Sequence, residues 1–389
     1  MLLIGIWLLL IVLGLLYKKS KKISYVQVFF AVLLMGLSKG TADYAVYERI
    51  FNKSITSQWN GYFTNDWLLL LMYRIVGFFG GNYQIALFIC ALAGMILLYK
   101  SVEYYTNKVS FVLSLYLLGA FVIDATQVKN FLAASVWLYF SRYLFKSFEA
   151  ERTLCRNEIF QNLMKYLAGV FLASSIHASF VITIIFVLLF IKEINEKKLL
   201  IVTLVINIIN IFMVSSAFES FVDRLMIGLS STEVNAFVGL YTKYRAYKIN
   251  FNRGAMEVRL YLTVFLLTYL VIILLLLKKS IVKRKLLLKE GSIGKVLIVI
   301  DYVYMLNLFV GCLTPLFNFS MEFYRFQRML LPLDFVAIAY CMKSSNKKMI
   351  INLTDFKIVL MGLMPAVFYL VFDVLYWNYD KVFVPLFMH

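Results

Sequence analysis

Charge is scarce in this chain: Asp, Glu, Lys and Arg make up 15% of its 389 residues, whereas 62% are apolar. A soluble fold of this length needs far more polar surface, so that class is excluded. Short segments of alternating polarity, the mark of a membrane β-barrel, are missing as well. Solid apolar runs of about 14 to 21 residues recur instead. The four cysteines, Cys90, Cys155, Cys312 and Cys341, are scattered, which argues against a disulfide, a zinc site or thiol chemistry. Histidine is rarer still, His177 being the one internal residue of its kind, since His389 ends the chain. No Asp-Asp or Asp-x-Asp pair occurs, and Glu149 and Glu151 stand two apart in a segment read as cytoplasmic. The expectation is a site with no metal and no cofactor, although Asp43, Glu48 and Asp66 would supply ligands if the fold gathered them.

What remains is an all-α, polytopic membrane protein with a mean hydropathy of +0.82. The spans are expected at 2–16, 23–37, 83–99, 109–123, 131–147, 164–176, 178–191, 199–214, 257–277, 293–311, 329–342 and 357–376, about twelve in one membrane domain over 1–389. The segment Asp66 to Phe79 is apolar but short and carries Arg74, so it is expected as a re-entrant or interfacial helix. The runs 164–176 and 178–191 are short for full crossings at 1.5 Å per residue, which suggests a broken helical hairpin with His177 at its tip. Residues 215–256 form a long polar loop with Arg245 and Arg253.

A formal net charge of +18 is compatible with nucleic acid, but the basic residues cluster between apolar runs. That is the distribution of cytoplasmic loops, not of a nucleic-acid footprint. The clusters are Lys18 to Lys22, Lys100 with Lys108, Lys146 to Lys165, Lys192 to Lys198, Lys278 to Lys289, and Lys343 to Lys348. With these inside, the remaining gaps face outward. The first run lacks a basic leader and is followed at once by lysines, so it reads as an uncleaved span with its N-terminus outside.

The outward gaps then collect the unusual residues. They are Asp43, Tyr44, Tyr47 and Glu48; Asp66; the polar break Asp124 to Asn130 with Gln127 and Lys129; His177; and Glu322, Tyr324, Arg325 and Arg328. Each has a plainer reading: Tyr44 at headgroup level, Lys129 snorkelling from a helix end, His177 packed against a carbonyl. Arg325 and Arg328 stand three apart and share a helix face, a spacing that suits a phosphate or diphosphate as well as a lipid headgroup or an acidic loop.

Four stretches together resemble the EpsG and Wzy-type polysaccharide polymerases. They are Gly40-Thr41-Ala42-Asp43-Tyr44-Ala45-Val46-Tyr47, Asp66 opening an apolar segment, Gln127-Val128-Lys129-Asn130-Phe131-Leu132-Ala133, and Ala173 to Phe180 around His177. The family tends to carry Arg-Gln where this chain has Lys129-Asn130, and often Glu at the place of Asp66. Lys keeps the charge but loses the bidentate fork. The resemblance implies a glycosyltransferase of the bacterial cytoplasmic membrane, with its active face extracytoplasmic. It would polymerise oligosaccharide repeat units carried on undecaprenyl diphosphate into a capsular, O-antigen or exopolysaccharide chain. Its partners would be the polyprenyl-diphosphate-linked donor and acceptor and the bilayer, with a chain-length regulator and a flippase of the same pathway nearby, and no nucleic acid.

On that reading Lys129, Arg325 and Arg328 stabilise the diphosphate. His177 or Asp43 takes the proton of the acceptor hydroxyl, with His177 preferred. Gln127, Asp66, Tyr44 and Tyr324 bind substrate or hold the cations. Two rivals stay open from the residues alone. A lipid-linked oligosaccharide flippase or transporter would use the same cations, though no internal repeat is visible. A membrane acyltransferase modifying the polysaccharide would use His177 as base.

Overall fold

The computed structural model describes residues 2–41, 43–56, 66–151, 156–190, 196–212, 220, 223–224, 227–228, 253–288, 293–314, 324–342 and 353–388. Among them every regular element is helical. Three helical stretches are long and apolar enough to cross a membrane: Tyr83–Tyr105, Tyr261–Val282 and Phe356–Tyr376. The count of about twelve crossings goes beyond what these three establish. Of the loop 215–256, all but a few residues lie outside the described set, and so does Glu322.

The helices begin with α1 (Leu2–Leu16), α2 (Lys21–Leu37), α3 (Tyr44–Thr56), α4 (Trp67–Phe78) and α5 (Tyr83–Tyr105). Next come α6 (Val109–Leu118), α7 (Ala120–Asp124), α8 (Val128–Glu151) and α9 (Arg156–Ile176), then a 3-10 helix, Ala178–Phe190. They close with α10 (Glu196–Phe212), α11 (Arg253–Leu288), α12 (Ile293–Cys312), α13 (Tyr324–Cys341) and α14 (Leu353–Phe368), the last continuing as a π-helix over Tyr369–Tyr376 and followed by short helical pieces at Tyr379–Phe383 and Val384–Phe387. The contacts group into two compact units. The first is Met1–Leu188 with Leu277–Tyr302 and Leu331–His389; the second is Leu189–Leu276 with Val303–Leu330.

In the first unit, polar groups pin the helices where apolar packing alone would let them slide. The buried Gln27 amide of α2 donates to the Leu10 carbonyl of α1 at 3.1 Å and to the Ser114 hydroxyl of α6 at 2.8 Å. Lys108, 5% exposed, donates its ammonium to the carbonyls of Ala339 and Met342 at 2.6 and 2.7 Å. The Ala339 carbonyl belongs to the last turn of α13 and Met342 follows it directly, at the end where a helix leaves acceptors unsatisfied and favours a cation. The expected span 109–123 is broken at Gly119, whose ψ of −95° ends α6 and lets α7 turn away. A Cβ there would lie 2.8 Å from the Ala366 Cα.

The hairpin differs from expectation in an instructive way. α9 begins at Arg156, not near 164, and its 21 residues span about 31 Å. Polar residues that read as loop are simply carried on the helix. The return leg is a 13-residue 3-10 helix, which at about 2 Å per residue covers about 26 Å. A run too short as an α-helix thus gains length by tighter winding. The fold-back is fixed inside: the Trp137 indole donates to the Tyr166 hydroxyl at 3.0 Å, which donates to the Thr183 carbonyl at 2.7 Å. α9 lies so close to α8 that a Cβ on Gly169 would meet the Phe140 Cβ at 2.1 Å.

Candidate functional site

The hairpin puts His177 at its tip, between the end of α9 and the first residue of the 3-10 helix, and 7% exposed. Asp66 sits just before α4 with φ 69° and ψ 23°, the one residue besides glycine with positive φ among those described. Asp tolerates this left-handed conformation better than most side chains, at a cost of about 1–2 kcal/mol. Its carboxylate makes no cap bond to its own helix. Instead one oxygen pairs with the Lys129 ammonium from the first turn of α8, and the other accepts from the Ala178 N–H at 3.3 Å. Asp66 therefore joins three segments distant in sequence: α4, α8 and the hairpin tip.

Lys129 is 12% exposed and Asp66 25%, so the pair is only partly wet. On its other side Lys129 lies 5.9 Å from the centre of the Tyr47 ring, within reach of a cation–π attraction. Next to it opens a pocket lined by Thr41, Tyr44, Tyr47, Tyr73, Tyr83, Thr126 and Lys129. Tyr83 packs edge-on to both Tyr44 and Tyr73, at 5.0 and 6.0 Å between ring centres. The Tyr44 hydroxyl donates to the Gln84 side-chain oxygen at 3.1 Å, while the Gln84 amide holds the Gly36 carbonyl at the end of α2. Burial, and after it the Glu48 carboxylate, pushes the Tyr44 hydroxyl above its ordinary range. It remains a neutral donor.

The imidazole is oriented by its own chain. The Ser179 N–H donates to His177 Nδ1 at 3.3 Å, and the Ser179 hydroxyl lies 2.8 Å from the same nitrogen. A backbone N–H can only donate, so Nδ1 carries the lone pair and the proton of the neutral ring is on Nε2.

Of the residues singled out in the sequence, Asp66 thus links Lys129 to the backbone next to His177, and Lys129 shares a pocket with Tyr44 and Tyr47. Gln127 is half-buried in the three-residue turn between α7 and α8. Asp43 precedes α3, and its carbonyl accepts from the Tyr47 N–H at 3.0 Å. Arg325 and Arg328 lie in the first turn of α13, in the second unit, Arg325 half-buried and Arg328 6% exposed. The side chain of Tyr324 falls outside the described set. Sequence reasoning passed over Ser179, Gln84, Tyr73 and Tyr83. Ser179 had a signal, its place two residues after the histidine; the others look like ordinary helix residues.

Comparison with family models matches the EpsG family over residues 21–385. The chain belongs to the EpsG family. This is a Wzy-type polysaccharide polymerase family, so the protein is a membrane protein of the polymerase or glycosyltransferase type. Comparison with curated proteins and with solved structures gives no match. For an EpsG protein the meeting of Asp66, Lys129 and His177 gains meaning, because all three lie in the stretches that carry the resemblance.

Proposed function

We propose that this EpsG protein polymerises undecaprenyl-diphosphate-linked oligosaccharide repeat units at the outer leaflet of the bacterial cytoplasmic membrane. The observation that carries the reading is the junction of Asp66, Lys129 and the hairpin tip: a fixed cation that lines a pocket rich in hydroxyl groups, tied through Asp66 to the segment that carries an oriented imidazole. In the reaction, the bond between the donor sugar's anomeric carbon and the diphosphate oxygen breaks. A bond from that carbon to an acceptor hydroxyl oxygen forms. The hydroxyl proton passes to a base, and undecaprenyl diphosphate leaves with the electron pair.

Lys129 supplies a positive charge that is already in place when negative charge develops on the diphosphate, so little reorganisation is needed. Arg325 and Arg328 are proposed as further anion-binding groups. His177 presents Nε2–H, which suits it to donate to a phosphate oxygen; as a base it would first have to give up the Ser179 N–H bond at Nδ1. That leaves the Asp43 carboxylate as the proposed proton acceptor. Tyr44 and its tyrosine neighbours offer rings and hydroxyls of the kind that hold a sugar.

The test is an analysis of lipid-linked glycans in cells without the protein and in cells with it restored. Single repeat units accumulating on lipid at the outer leaflet, with the polymer ladder gone, is the expected result. Units accumulating on the cytoplasmic side would make the protein a flippase. A persistent ladder lacking acyl groups would make it an acyltransferase.

A further inference from the structure

A second charged site lies along the later half of α8 and the first half of α9, away from Asp66, Lys129 and His177 in sequence. Arg142 of α8 is stacked between two tyrosine rings of its own helix, 3.8 Å from the centre of Tyr139 and 4.9 Å from that of Tyr143, and donates to the Tyr143 hydroxyl at 3.1 Å. The ammonium groups of Lys146 on α8 and Lys165 on α9 stand 5.6 and 5.5 Å from the same Tyr143 ring. Lys146 also reaches the Tyr104 ring of α5, at 6.0 Å. Three cations from two helices thus converge on one aromatic ring.

Like charges repel, and among the described residues no carboxylate forms an ion pair with any of the three. Glu149 is close enough to act on Tyr104, yet it does not pair with them. Stacking on tyrosine faces offsets part of the repulsion, and Arg is the better suited of the two cations to such stacking. A bound anion would offset the rest. Lys146 and Lys165 are exposed and Arg142 half-buried, so the cluster is open to one. Beside Lys165 and on toward the His177 end, α9 presents Met164 and Phe171, 52% and 55% exposed and seven residues apart on one face. A free anion has no use for that apolar face, whereas a phospholipid places its acyl chains there and its phosphate on the cations.

We propose that Arg142, Lys146 and Lys165 with Tyr143 form a binding site for the phosphate of an anionic phospholipid, whose chains run along the Met164–Phe171 face of α9. The lysine distribution puts this end of the helices in the cytoplasm, where the leaflet is anionic. The site is distinct from the one proposed for catalysis and does not depend on that reading.

The experiment uses the full-length protein in nanodiscs of mixed phosphatidylglycerol and phosphatidylcholine, with retention of each lipid measured by native mass spectrometry. The native chain should retain phosphatidylglycerol in preference. Each lost charge is worth about fivefold in affinity, so Lys165→Gln should weaken retention about fivefold and the triple change R142Q/K146Q/K165Q on the order of 100-fold. Lys165 is exposed, so the single change does not put the fold at risk. Arg142→Lys keeps the charge and should fall between native and Arg142→Gln, because the planar stack is lost. Lys197→Gln with Lys198→Gln, removing two exposed lysines elsewhere, should leave retention unchanged. Equal loss in that control would show diffuse attraction rather than a site and would overturn the proposal. So would native retention in K165Q, or displacement of the lipid by inorganic phosphate as readily as by phosphatidylglycerol.

Discussion

At the scale of single residues, Asp66 does the most with the least. A left-handed backbone in a residue that does not cap its own helix is a strained arrangement, and such arrangements persist where other contacts over-determine them. Here the contacts are the Lys129 ammonium and the Ala178 N–H. Asp66→Asn keeps a side chain that tolerates the left-handed region but removes the charge. We expect normal protein levels, with stability lower by about 1–2 kcal/mol because the pair is only partly buried. Polymer yield should fall at least tenfold, read from the ladder on a gel. Full polymer with Asn would show that the pair is structural only.

His177 allows a sharper separation. Gln can place an N–H donor near where Nε2–H lies but cannot serve as a base at neutral pH, whereas Ala offers neither. If His177 donates to the leaving group, His177→Gln should keep a substantial part of the polymer and His177→Ala little. Equal loss in both would return the histidine to the role of base. The identities of Asp66, Lys129 and His177 were visible in the sequence because polar groups are rare among apolar runs. Their partnership was not, since Lys129 and Asp66 are 63 positions apart and no local pattern links them.

At the scale of elements, hydrophobic runs located most of the helices, because in a membrane apolar length and helix length go together. α1 matches its run from Leu2 to Leu16, and α4 its short segment at 12 residues, about 18 Å and well under a full crossing. Two features escaped. A count of residues assumes the α rise, so the 3-10 winding of Ala178–Phe190 could not be seen. Nor does hydropathy reveal that Gly119 ends a helix inside a continuous apolar run. The hairpin that carries His177 depends on α8 and α9 touching at Gly169. Gly169→Leu should force them apart, costing about 1–3 kcal/mol as overpacking and displacing the hairpin tip. A lower melting temperature in detergent together with loss of polymer is the expected outcome. Unchanged melting would mean that the contact has slack.

At the scale of the whole molecule, the sign of the charge at each helix end is the guide to which side the proposed chemistry is on. Lysines gather after α1, at the end of α5 and where α8 meets α9, and the Asp66, Lys129 and His177 neighbourhood belongs to the opposite ends of these helices. By the positive-inside rule the first set is expected in the cytoplasm and the proposed catalysis outside. This argument rests on the sequence alone, because it counts Lys and Arg and makes no use of packing. It can be tested without reference to activity. In a chain stripped of its native cysteines, Lys53→Cys on the exposed face of α3 should react with a membrane-impermeant thiol reagent in intact cells, and Lys22→Cys at the start of α2 only after the membrane is opened. The reverse pattern would put the Asp66–Lys129 pair in the cytoplasm. Units already flipped outward could not then reach it, and polymerisation at the outer leaflet would be untenable even for an EpsG protein.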